Sequence, residues 1–118
     1  MNWKEIFKEK NEIVLSTFSK KSGSHSIVAV SQGFADGKLL INACQTNTTI
    51  ENIKEDARVC VISMNGGKYL RIKGTAELFS SGKYFEISKE KNEGPRVKYS
   101  IVITIEEVFD LDKVKAIM

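Results

Sequence analysis

The chain has 118 residues, 42% apolar and 28% charged, with a net charge of +3, a length that suits one domain over 1–118 with room for a real core. Such a composition excludes disordered and fibrous classes, and the charge alternation of KEIFKEKNE and KEKNEG reads as solvated surface rather than a one-signed nucleic-acid patch. Cys44 and Cys60 stand too far apart for a metal motif and read as buried, reduced thiols, while no run has signal-peptide form or membrane-spanning length, so a cytoplasmic chain is expected.

In chain order, Trp3, Ile6 and Phe7 fall at helical spacing, with Asn2 and Glu5 placed for a capping box; this predicts a short amphipathic helix packed on a larger body. EIVLSTFS (12–19) and SIVAVS (26–31), separated by KKSGS, predict a hairpin. Asp36-Gly37 turns the chain into a third strand, LLINA (39–43). INACQTNTTIENI (41–53) then passes from strand to helix through small polar residues. ARVCVISM (57–64) is apolar on both faces, the pattern of a strand covered on both sides.

NGG (65–67) makes the next turn, and KYLRIKGTAELF alternates cleanly. Leu70, Ile72, Ala76 and Leu78 fall on one side and Tyr69, Arg71, Lys73, Thr75 and Glu77 on the other. Gly74 lies on the apolar side, where barrels bend sharply. SGKYFEISKEK (81–91) has helical spacing at Tyr84, Ile87 and Ser88, GPRVKYS breaks it, and IVITIEEVFDL is a last long strand. This order predicts a small closed or partly closed antiparallel barrel with helical plugs, because closure removes exposed strand edges. The two-sided apolar surface of 57–64 and 100–105 exceeds what one such barrel hides, which predicts a twofold homodimer.

The chemistry gathers in CQTNTTIENIKEDARV. Thr48 and Glu51 stand in the S/T-x-x-E relation of a helix cap. Capping does not use Gln45, Thr46, Asn47 and Thr49, hydroxyl and amide donors at the positive end of a helix dipole, where a phosphate is favoured. On the residues alone a phosphate site and a plain polar loop both remain open.

The succession LSTFSKKSGSHSIVAV, DGKLLINACQTNTTIENIKEDARVCVISM and YLRIKGTAELFSSGKYFEI resembles the pyridoxamine 5'-phosphate oxidase-like family of FMN-binding split barrels, in its short single-domain members. The likeness rests on a T-x-x-N-x-x-x-D-x-R-V pattern at Thr49, Asn52, Asp56, Arg58 and Val59, and on RIKGTAE followed by SSGKYFE. The resemblance implies a mainly β fold, an antiparallel split β-barrel of Greek-key-like form with about six strands and short flanking helices. It also implies a homodimer with FMN at the subunit interface. Val28, Ala29 and Val30 would lie beside the flavin ring, and Ala43, Cys44 and Gln45 along the ribityl chain. Asn47, Thr48 and Thr49 would cradle the phosphate, with Asn52 bracing the loop. Family members commonly carry Lys or Arg where Thr48 stands, and Lys21, Arg71 and Lys73 are the basic residues considered for that charge.

The implied activity is that of a flavin-dependent oxidoreductase on a small molecule, or of an electron carrier in the same mould, with no catalytic residue and no metal ligand assigned. The longer vitamin-oxidising relatives carry a basic C-terminal extension; the chain runs to Met118 without one, so a substrate other than pyridoxine phosphate is expected. The alternative is a non-enzymatic module binding another phosphorylated ligand, a tetrapyrrole or nucleic acid. For nucleic acid, KYLRIK offers only Tyr69, Arg71 and Lys73, a thin stacking surface. His25 reads as an ordinary surface or hydrogen-bonding residue and Trp3, Phe7 and Phe18 as core, whereas a Cys44 thiol near a flavin could be acidified.

Overall fold

The structure, a computed structural model, describes residues 2–43, 47–91 and 96–118. β1 (Glu12–Ser19) pairs along its whole length with β2 (Gly23–Ala35). Two left-handed residues, Asp36 (φ 54°) and Gly37 (φ 75°), then turn the chain into β3 (Lys38–Ala43), as an Asp-Gly pair does at little steric cost. After α1 (Asn47–Glu55), β4 (Arg58–Ser63) takes the other edge of β1, and β5 (Leu70–Phe79) pairs with β4. α2 (Lys83–Lys91) leads to β6 (Tyr99–Asp110), which pairs with β5 on one side and β3 on the other. The order β3-β2-β1-β4-β5-β6, closed by the β3–β6 ladder, makes the expected six-stranded antiparallel barrel. A two-residue strand, β7 (Lys115–Ala116), adds to β6 outside it and carried no sequence signal.

The inward side chains follow the period of two. Ile13 and Leu15, Leu39 and Ile41, Val59 and Val61, Leu70 and Ile72, and Ile101 and Ile103 form one buried cluster. Gly74 sits at the predicted bend: the β5–β6 register shifts between Lys73 and Gly74, and a Cβ there would lie 2.1 Å from the Thr104 carbonyl oxygen. Only a residue without a side chain lets the two backbones approach so closely.

Each end of the barrel is plugged. At one end Trp3–Phe7 forms a 3-10 turn rather than an α-helix, with Ile6 and Phe7 buried. The Ser63 hydroxyl donates to the Ile6 carbonyl at 2.8 Å and the Ser31 hydroxyl to the Phe7 carbonyl at 2.6 Å, so the turn's free carbonyls are paired from the barrel wall. Ser31 opens an irregularity in the β2–β3 register that ends at Phe34, where Gly33 has φ 84°. At the other end α1 presents Thr49, Ile50, Asn52 and Ile53 inward.

The outer surface divides into two halves. Over β3 and β6, α2 packs so that Leu40 (0% exposed) and Val102 (1%) are covered from outside. The hydroxyls of Ser88 and Ser100 meet at 2.7 Å, and the Asn42 amide donates to the Ser88 carbonyl at 3.3 Å. The two-sided apolar character of 100–105 is thus accounted for within the chain, by α2. Over β1, β2 and β4 no described helix packs on the outer face: Val28 and Val30 are exposed, and Val14, Cys60 and Ile62 are half-buried. β4 therefore alternates between buried and partly open positions instead of being covered on both sides.

Candidate cofactor site

The helix that plugs the barrel begins at Asn47, so Thr48 lies inside its first turn and not at the predicted cap. Its inward face is firmly tied. The Asn52 amide donates to the Thr17 hydroxyl at 3.0 Å, and its carbonyl oxygen accepts from the Ser22 hydroxyl at 3.0 Å. Asn52 thereby bonds α1 to β1 and to the β1–β2 turn. Thr49 is fully buried, and its hydroxyl has no hydrogen-bond partner. An unpaired buried hydroxyl costs about 1–3 kcal/mol, and this one lies in the first turn of the helix, the end that favours an anion.

The outward face of α1, at Asn47, Glu51 and Lys54, borders a cleft of about 260 Å³ that Ala43, Lys98 and Tyr99 complete. Lys98 is brought there by the β3–β6 ladder, its backbone N–H donating to the Ala43 carbonyl at 3.0 Å. The Lys54 ammonium lies 5.5 Å from the Tyr99 ring centroid, close enough for a cation–π contact. The ammonium groups of Lys98 and of Lys54, which lies in the last turn of α1, thus border the cleft, opposed by the carboxylate of Glu51. They are not the basic residues singled out from sequence: Lys21 is exposed in the β1–β2 turn, while Arg71 and Lys73 point outward from β5. No local signal marks Lys98, because its nearness to α1 depends on a pairing across half the chain.

The remaining expected residues divide. Val28 (69% exposed) and Val30 (44%) project from the bare outer face, whereas Ala29 is half-buried toward the barrel interior and Ala43 is 1% exposed. Cys44 and Gln45 lie outside the described residues. Val28 borders a recess of about 330 Å³ with Val14, Ile62 and Met64, separate from the cleft at the helix start. The helix-start and ring-side residues are therefore not gathered into one cavity among the described residues.

Farther along the same outer face a groove of about 560 Å³ runs past Ser16, Ser24, Ser26, Cys60 and Lys73. Ser16 and Ser26 share a hydrogen bond of 2.8 Å across the β1–β2 pair. At its edge Arg58 forks onto Asp56, with contacts of 3.0 and 2.7 Å, and this guanidinium holds the carboxyl of Asp56 down at about 2. Burial pushes the Cys60 thiol above its ordinary value, so it is a packing residue rather than a nucleophile. On β5, Arg71 stacks over the Phe109 ring at 4.8 Å and reaches Glu107 at 3.4 Å, while its Nε is buried without a partner.

His25 faces Thr17 across the β1–β2 ladder, Phe7 is in the core as expected, and Phe18 is exposed on the outer face instead. Among the described residues, no cluster of three or more His, Cys, Asp or Glu could hold a metal, and no helix is long and apolar enough to cross a membrane. Among the described residues the helix-start cleft offers hydrogen-bond donors and positive charge, and no acid–base pair is brought together there.

The sequence profile of the family described as pyridoxamine 5'-phosphate oxidase matches residues 2–112. Among curated proteins no sequence matches significantly. Of the solved structures, HupZ from Group A Streptococcus has 18% identity and a TM-score of 0.86, covering 98% of this chain and 95% of its own. An FMN-binding protein from Syntrophomonas wolfei subsp. wolfei has 15% identity and a TM-score of 0.73 over 84% of this chain and 76% of that one. An F420 reductase has 13% identity and a TM-score of 0.70 over 92% and 96%. At these identities the likenesses establish the fold.

Proposed function

Because this chain belongs to the pyridoxamine 5'-phosphate oxidase family, we propose that it binds FMN at the contact between two copies of itself and acts as a flavin-dependent oxidoreductase on a small molecule. One observation carries this reading: Val28 and Val30, the residues expected beside the flavin ring, are bare apolar side chains on an uncovered sheet face. A closed barrel has no internal reason to present valine, half-buried Ile62 and exposed Met64 together to water. A flat tricyclic ring and a second copy of the same face would remove them from it. That an FMN-binding protein and an F420 reductase share this barrel supports a flavin-type ligand.

The residues at the helix start fit a phosphate. The first-turn N–H groups, the Asn47 amide and, on the inward face, the unpaired Thr49 hydroxyl supply donors, while Lys98, and Lys54 from the last turn of the helix, supply positive charge along the cleft, in place of the basic residue that Thr48 replaces. Bound flavin supplies the electron transfer; the protein binds the phosphate, orients the ring and shields it from water, so the lack of an acid–base pair is no obstacle. The half-buried, unpaired Cys60 suits a reducing cytoplasmic setting.

The test is a fluorescence titration of the flavin-free chain with FMN and with riboflavin. FMN is expected to bind at least tenfold more tightly, a difference of about 1.4 kcal/mol that one charge-assisted contact supplies. Equal binding of the two would overturn the assignment of the helix start as a phosphate site.

A further inference from the structure

On the far side of Lys98 and Tyr99 from the helix-start cleft lies a larger cavity, about 580 Å³, between α2 and the chain that leads into β6. Its floor is apolar, made by buried Val97 with half-buried Phe85 and Tyr99. Its rim carries Lys89, Arg96 and Lys98, all exposed, and among the described residues that line it none is acidic. The other described cavities differ in this respect. The outer-face groove sets Arg58 and Lys73 against Asp56 and Glu106, the helix-start cleft includes Glu51, and the Val28 recess has only Glu12. Of the three rim cations, Lys89 already has an ion pair with Glu86, at a loose 3.9 Å.

We propose that this cavity is a second ligand site that takes a nucleotide-like anion, a phosphate joined to a flat ring. Three like charges around one opening repel each other unless an anion enters, and a planar guanidinium such as that of Arg96 grips phosphate oxygens two at a time. A bare phosphate would leave the floor wet, whereas a ring laid on Phe85 and Tyr99 uses it. The Lys89 ammonium, 5.7 Å from the Phe85 ring centroid, places charge at the edge of that floor. A volume of about 580 Å³ lies within the range of small-ligand sites, roughly 300–1,000 Å³. The site uses neither the bare face at Val28 nor the start of α1, and it shares with the helix-start cleft only Lys98 and Tyr99, which form the wall between the two.

Calorimetric titration with AMP, run with and without saturating FMN, tests this. AMP is expected to bind at least tenfold more tightly than adenosine or inorganic phosphate, because ring and phosphate are held together. Because Lys98 borders both sites, saturating FMN should weaken AMP by no more than about tenfold and should not exclude it. The double variant K89E/R96E, altered only at exposed side chains, should lower AMP affinity by about tenfold or more while leaving the FMN titration and melting temperature unchanged; R96Q should fall between the two. The proposal is overturned if AMP does not bind at ~1 mM, if FMN displaces it competitively, or if inorganic phosphate binds as well. It also fails if a short oligothymidylate binds far more tightly than AMP with a steep salt dependence, the mark of a strand-binding surface. Failure of FMN to bind would leave the AMP result readable, so the two readings stand or fall separately.

Discussion

Replacing Thr49 with Val separates the two roles a buried hydroxyl can have. The side chain is fully buried and its Oγ1 is unpaired, so the substitution puts a methyl where a donor is already unsatisfied. Both residues are β-branched and cost a helix about the same. In the flavin-free protein the change should therefore remove a burial penalty of about 1 kcal/mol or somewhat more. For 118 residues the unfolding entropy is about 0.25 kcal/mol/K, so Tm should rise by roughly 4 °C. With FMN the sign reverses, because losing one charge-assisted hydrogen bond to phosphate costs about 1.5–3 kcal/mol, or about 10- to 150-fold in Kd. Riboflavin, which has no phosphate, should bind both forms equally. Paired melts and fluorescence titrations read both quantities. A variant that melts several degrees lower would show that the hydroxyl is structural, and a higher Tm with unchanged FMN affinity would show that it holds nothing.

Three further changes probe other parts of the molecule. Val28→Glu places a charge on the bare outer face, where the single chain has no packing to lose; light scattering should find a dimer converted to monomer and FMN binding weakened, and a variant that still dimerises would place the contact elsewhere. Gly74→Ala drives a Cβ to 2.1 Å from the Thr104 carbonyl oxygen and should cost about 3 kcal/mol or more, roughly 12 °C in Tm; a melt within a couple of degrees of the parent would refute so close an approach. Asp56, held down at about 2 chiefly by its hydrogen bonds from Arg58, lends stability that is full above the ordinary carboxylate range and is lost as pH falls through about 2. Asp56→Asn should flatten the acid side of the melting profile between pH 4 and 2, by a small amount that added salt reduces further; an identical profile in the variant would mean the pair contributes nothing.

Much of the barrel could be read from local pattern. The alternation at Leu70, Ile72, Ala76 and Leu78, the turn at Asp36-Gly37 and the bend at Gly74 each have a short-range physical cause, and each stands where expected. The inward face of α1 was also present in the sequence, since Thr49, Ile50, Asn52 and Ile53 share one helical face, although the S/T-x-x-E spacing at Thr48 points to a cap one residue inside the actual start. What escaped depends on contacts distant along the chain. That α2 covers Val102 and Leu40 follows from packing across β3 and β6, not from the run IVIT itself. Lys98 arrives beside Asn47 only once β6 has closed the barrel on β3. The first residues form a 3-10 turn because hydroxyls of Ser31 and Ser63 draw in consecutive carbonyls, and neither serine is near them in sequence.

The twin tethers of Asn52, one to Thr17 and one to Ser22, mean that α1 cannot hinge as a flap without breaking its bonds to both the barrel wall and the turn that closes it. A binder anchored there meets a surface already in its final shape and spends little freedom on fitting. Its occupancy should in turn register as added heat resistance of the whole barrel, which makes a simple melting curve a gauge of what the molecule is carrying.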